Sequence, residues 1–160
     1  MHRRADALAD RILQGADALA ALAESLSEAE WRTPIQPDGR AAGVIIHHVA
    51  SVYPLEVSLA KVLAGGKPIT GVTVAAVAEM NAKHAGDHAA ADKAETIALL
   101  RTQSREAADA VRALGDDELD RAAPVSLNAD APLTAQFFIE DHALRHSFHH
   151  LEGIKRALGR

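Results

Sequence analysis

Residues 41–64 read AAGVIIHHVASVYPLEVSLAKVLA, and the fold turns on how that stretch is understood. Advancing a helix by about 100° per residue gathers Val44, Ile45, Val52, Leu55, Leu59, Val62 and Leu63 within roughly 60° of His48. His48 therefore stands at the centre of an apolar face, while its neighbour His47 projects toward Ser51, Ser58 and Lys61. The stretch predicts a helix ended by Gly65-Gly66 and kinked or locally broken at Pro54, which lacks an amide donor. Such a helix needs others to cover its apolar face.

The flanking sequence supplies them. Residues 4–26 place Leu8, Ile12, Leu19, Leu22 and Leu26 at three- and four-residue spacing or its multiples, the period of an amphipathic helix. Ser27-Glu28-Ala29-Glu30 has the capping-box pattern and starts a short turn carrying Trp31, before a loop over 33–40 with two prolines and Asp38-Gly39. After a connection over 67–71, Thr73 caps a helix through about residue 85. Residues 93–114 form another, stopped by Gly115, and 116–122 add a turn. Residues 124–132 read as a loop, Thr134 as an N-cap, and 135–158 as the last helix before Gly159. Four long helices with short helical turns in the connections predict an all-α, four-helix bundle spanning 1–160 as one domain. In such bundles metal sites are built from inward-facing side chains of different helices.

Composition narrows the function. Of 160 residues, 48% are hydrophobic but only 3% aromatic, a mixture that favours closely packed helices over sheets. The net charge of −5 is carried by interspersed acidic and basic residues, so no basic stripe awaits a phosphate backbone, and nucleic acid is excluded as a partner. No stretch approaches the roughly 18 consecutive apolar residues of a membrane span. The basic start His2-Arg3-Arg4 leads into an amphipathic pattern and does not read as a secretory signal. The absence of cysteine excludes disulfides and thiolate ligands and fits a cytoplasmic protein. Any metal site must use histidine and carboxylate.

Nine histidines are available, and His142, His146, His149 and His150 crowd the last helix. Residues four apart share a helical face, so His142/His146 and His146/His150 can each reach one ion. On that helix Leu144, Phe148, Leu151, Ile154 and Leu158 form the apolar face, and Asp141, Arg145, Glu152 and Arg156 a charged stripe. His150 lies nearest the apolar face and His146 next, which makes them the preferred pair. His48 is the best third ligand by geometry, since open metal sites take three protein ligands and leave a position for water or substrate. A lone histidine on a helix is more often a surface or hydrogen-bonded core residue, and it is the combination that carries the reading.

His84 and His88 form a further pair of the same spacing, with Asn81 and Val77 on their face. They read most simply as a polar helix end near Gly86-Asp87; an alternative or second metal site, or an entrance to the first, is the other reading. Glu56 and Glu140 are placed to orient a ligand or move a proton, although each reads more simply as a solvated helix carboxylate. Asn81 and His84 complete the set of pocket residues. A zincin-type protease is excluded because no Glu follows His142, and neither a G-x-S-x-G element nor a glycine-rich phosphate loop is present.

Trp31, the proline loop with Asp38-Gly39, the stretch Val44-Ile45-Ile46-His47-His48-Val49-Ala50-Ser51 and the late segment His146-Ser147-Phe148-His149-His150-Leu151-Glu152-Gly153-Ile154 together resemble the DinB/YfiT-like superfamily. That superfamily of bacterial metal-binding four-helix bundles also takes in the mycothiol-dependent maleylpyruvate isomerases. The resemblance implies metal ligation by His48, His146 and His150, with His142 as an alternative one turn away. It further implies zinc or nickel as the ion, a homodimer, a small-molecule substrate and a low-molecular-weight thiol as cosubstrate. The leading expectation is a metal-dependent enzyme that activates water or such a thiol for transfer, isomerisation or hydrolysis. The alternative is a non-catalytic, stress-associated, dimer-forming bundle that holds metal or a small ligand.

Overall fold

The computed structural model describes residues 4–160; His2 and Arg3 of the basic start lie outside the described residues. The elements in chain order are α1 (Arg4–Ser25), α2 (Glu28–Trp31), α3 (Ala42–Ala64), α4 (Val74–Asp87), α5 (Lys93–Arg112), α6 (Asp116–Asp120), β1 (Ala122–Val125), β2 (Ala131–Thr134), α7 (Ala135–Ile139) and α8 (Arg145–Leu158). A π-helical turn (Glu140–Leu144) joins α7 to α8. The four-helix bundle is α1, α3, α5 and the α7–α8 rod. In it α1 packs on α5 and α8, and α3 on α5 and the rod.

Small residues set the spacing. Along α1, Ala5, Leu8, Ala9, Ile12, Ala16, Leu19, Ala20 and Ala23 are buried at helical intervals, and the alanines let neighbouring backbones approach closely. Gly43 opens α3 for the same reason: a Cβ there would lie 2.2 Å from Cε2 of Trp31. The Trp31 ring is buried and fixed by its Nε1, which donates to the Ala91 carbonyl at 3.0 Å.

The ends of the helices follow the side-chain signals. The Ser27–Glu30 capping box is formed in both directions, and the hydroxyls of Thr73 and Thr134 accept from the amides of Ala76 and Phe137. Asp92 caps α5 in the same way.

Four features differ from the sequence reading. α3 runs unbroken through Pro54, because only one amide donor is lost in a helix held on several sides by packing. α3 is also, among the described residues, the one helix long and apolar enough to cross a membrane, but 67% of that window is buried inside the fold. The expected loop at 124–132 is instead an antiparallel hairpin, with Pro124 opposite Pro132. Proline reads as a breaker, yet Pro124 still accepts a backbone hydrogen bond from Ile69 at 2.9 Å. Finally, the last helix contains the π-turn, in which the Arg145 amide reaches the carbonyl of Glu140 five residues back.

Candidate metal centre

Three imidazoles meet between α3 and α8. His48, His146 and His150 each bring a ring nitrogen to within 4.8 Å of the other two. His48 is 5% exposed, and its ring stands edge-on to those of His146 and His150, at centroid distances of 5.0 and 5.9 Å. The rings of His146 and His150, one turn apart on α8, are 4.8 Å apart. A buried hydrogen bond of 2.5 Å between the hydroxyls of Tyr53 and Ser147 sets the rotation of α8 against α3.

Burial and mutual repulsion favour the neutral form of His48 and His150. Loss of hydration, with the neighbouring imidazoles adding to it, pushes His48 and His150 each down to about 3. A neutral imidazole is the form that ligates a metal.

Glu56, one of the weaker candidates from sequence, is not a solvated carboxylate. It is 9% exposed, its Oε1 lies 2.9 Å from His146 Nδ1, and its Oε2 is buried with no partner among the described residues. An Nδ1–H held by that carboxylate leaves Nε2 of His146 as the free lone pair, the arrangement that orients metal-binding histidines. Sequence gave no signal for this contact, because 90 residues separate its members.

The other candidates are dispersed. His142 lies outside the cluster, its ring stacked on Phe138 at 4.2 Å. His142 does line the same cavity as His146, but it sits within the π-turn, whose wider step departs from the regular α-helical spacing on which the pairing was counted. Glu140 pairs with Arg11 at 3.1 Å and does not line the cavity described below. His84 packs on both His47 and His48, at ring distances of 5.1 and 5.5 Å, instead of ending a helix in solvent. His47 likewise faces α4, not an open polar surface.

The cluster opens on a cavity of about 550 Å³. Its apolar wall comes from α3 (Val52, Leu55, Leu59), α4 (Val77, Met80) and the hairpin (Val125). Leu55, assigned to the buried face by helical geometry, is exposed because that face borders the cavity. Beside the histidines and Glu56, the polar lining comes from Arg40, Asn81, Asp141 and Arg145. Arg40 is held by a two-pronged ion pair with Asp38, both contacts 2.6 Å, while its Nη1 is buried with no partner among the described residues. Asn81 Oδ1 is in the same condition.

Fold and site together define a four-helix bundle built around a histidine cluster of metal-ligand spacing. The family comparison places it further: the model of the DinB superfamily matches residues 11–154, and the chain belongs to that superfamily. Among solved structures it is similar to YfiT from Bacillus subtilis, described as a probable metal-dependent hydrolase with an unusual four-helix bundle topology. That match has a TM-score of 0.75, 18% identity and coverage of 98% of this chain and 88% of that one. It is also similar to a mycothiol-dependent maleylpyruvate isomerase, with a TM-score of 0.70, 14% identity and coverage of 96% of this chain and 63% of that one. No curated protein sequence matches it.

Proposed function

We propose that His48, His146 and His150 hold one divalent ion, zinc or nickel, and that the protein is an enzyme acting on small molecules in the adjoining cavity. The observation that carries this reading is the three-histidine cluster with the Glu56 carboxylate seated behind His146. A closed structural site would use four protein ligands, whereas three leave a position facing the cavity. The ion supplies Lewis acidity, lowering the pKa of a water or low-molecular-weight thiol that completes its coordination.

The chain's own groups do the rest. Glu56 fixes the tautomer and orientation of His146. The apolar wall excludes water and receives a hydrophobic substrate body. Arg40, its fork half-occupied by Asp38, offers Nη1 to a carboxylate or other anion on that substrate. Hydrolysis, thiol transfer and thiol-dependent isomerisation all suit this arrangement; of the two similar structures, one is described as a probable metal-dependent hydrolase and the other as a mycothiol-dependent isomerase.

Elemental analysis of untagged protein tests the ligand set. Substitution of His48, His146 or His150 by Ala is expected to remove one ion per chain, and His142→Ala or His149→Ala to remove none. Turnover of carboxylate-bearing esters, or of an electrophile with added thiol, should then depend on metal and vanish in His146→Ala. A firmly held ion with no exchangeable ligand and no turnover would make the protein a metal-holding module.

A further inference from the structure

α4 contributes no residue to the buried core. Its first residue, Val74, is 74% exposed, so apolar burial supplies little to hold this helix against the bundle. What α4 presents to α3 is a histidine pair, His84 and His88, one helical turn apart and facing His47. His47 Nδ1 lies 2.9 Å from His84 Nε2. The His47 ring stacks on that of His88 at 4.0 Å, and His84 and His88 are 4.6 Å apart. One ring nitrogen from each of the three lies within 4.8 Å of the others.

We propose that His47, His84 and His88 form a second site for a divalent transition-metal ion such as zinc, and that an ion there cross-links α4 to α3. The donor set repeats that of the first cluster: two histidines four apart on one helix, joined by one from α3. The α3 ligands are the adjacent residues His47 and His48, which a helix aims in directions about 100° apart, so each meets a different histidine pair. Two nitrogens on one tetrahedral ion at about 2.0–2.1 Å are roughly 3.3 Å apart. The His47–His84 separation needs to open by only a few tenths of an ångström, and the third ring closes in by small rotations. An all-imidazole set suits zinc, nickel or copper and rejects magnesium and calcium.

The consequence concerns the cavity. Val77, Met80 and Asn81 of α4 form one of its walls, and an ion bridging His47 to the α4 pair fixes that wall in place. With three protein ligands this second site also keeps one position for water; what sets it apart is that its ion ties α4 to α3, beside a first site that opens on the cavity.

The test titrates untagged, metal-free protein with zinc alone, reading bound metal after desalting and amide hydrogen exchange along α4. Wild type is expected to hold two ions, and His88→Ala, His47→Ala and His146→Ala one each. Zinc at ten times its dissociation constant should slow α4 exchange about tenfold, in wild type and His146→Ala but in neither His47→Ala nor His88→Ala. His47→Ala guards against fraying of α4, whose end His88 caps. A single ion that is lost in His146→Ala and kept in both His47→Ala and His88→Ala overturns the second site and leaves the first standing. A single ion with the opposite dependence overturns the first and supports the second.

Discussion

Glu56 Oε1 lies 2.9 Å from His146 Nδ1, with the second carboxylate oxygen buried and unpartnered among the described residues. This contact costs the metal-free fold stability, since half of a buried carboxylate goes unsatisfied, and serves the site by presenting Nε2 of His146. Glu56→Gln keeps an acceptor for the Nδ1–H but loses the charge and is expected to weaken zinc binding about tenfold. Glu56→Leu loses both, and about a hundredfold is expected, within the range of such orienting contacts. In chelator-competition titrations the two variants should rank in that order. Glu56→Leu should also raise the melting temperature of the metal-free protein, and a fall would show the carboxylate to be a structural support.

The same cluster makes the metal-free protein sensitive to acid. His48 and His150 ionise near 3 when folded and near 6.5 when unfolded. Between these values the unfolded chain binds more protons, so stability falls as pH drops below about 6.5 and the loss is complete by about 3. Above 6.5 both forms are neutral and the two residues impose no pH dependence. At pH 5 each should cost about 2 kcal/mol relative to pH 7. Urea unfolding of wild type and of His48→Gln at both pH values measures this. The variant should lose markedly less stability on acidification, and equal losses would place the sensitivity elsewhere.

What was legible in the sequence was whatever repeats at helical period. The apolar arc around His48 and the four-residue step from His146 to His150 are local properties, and the structure brings those three residues together. Three other features are tertiary. His47 looked solvent-facing because α4, which covers it, contributes no periodic apolar signal of its own. His142 stayed open as a one-turn alternative to the preferred pair because the π-turn at Glu140–Leu144 has no spacing signature. The hairpin was hidden by Pro124 and Pro132, which occupy facing positions where neither needs to donate.

Among the glycines, Gly43 has the least room for a side chain. A Cβ there would sit 2.2 Å from Trp31, and the indole cannot retreat without breaking its bond to Ala91 or its own packing. Gly43→Ala is expected to destabilise the fold by about 2–3 kcal/mol, despite alanine's better helix propensity. Trp31 is the only tryptophan, so its emission reports the displacement directly. A red shift with loss of stability is expected, and an unchanged spectrum with gained stability would show that the ring moves freely.

Tyr53 and Ser147 share a hydrogen bond of 2.5 Å between α3 and α8, and both are almost wholly buried. Ser147 directly follows His146, so this bond sets the rotation that aims His146 and His150 at His48. Tyr53→Phe strands the serine hydroxyl and should cost about 1–3 kcal/mol, while Tyr53→Phe/Ser147→Ala removes both polar partners and should recover much of that loss. Zinc affinity should not recover with it, because an apolar contact restores packing energy without fixing rotation. If the double variant regains both stability and affinity, packing alone orients α8. If it regains stability only, the hydrogen bond is what keeps the two histidine-bearing helices in register.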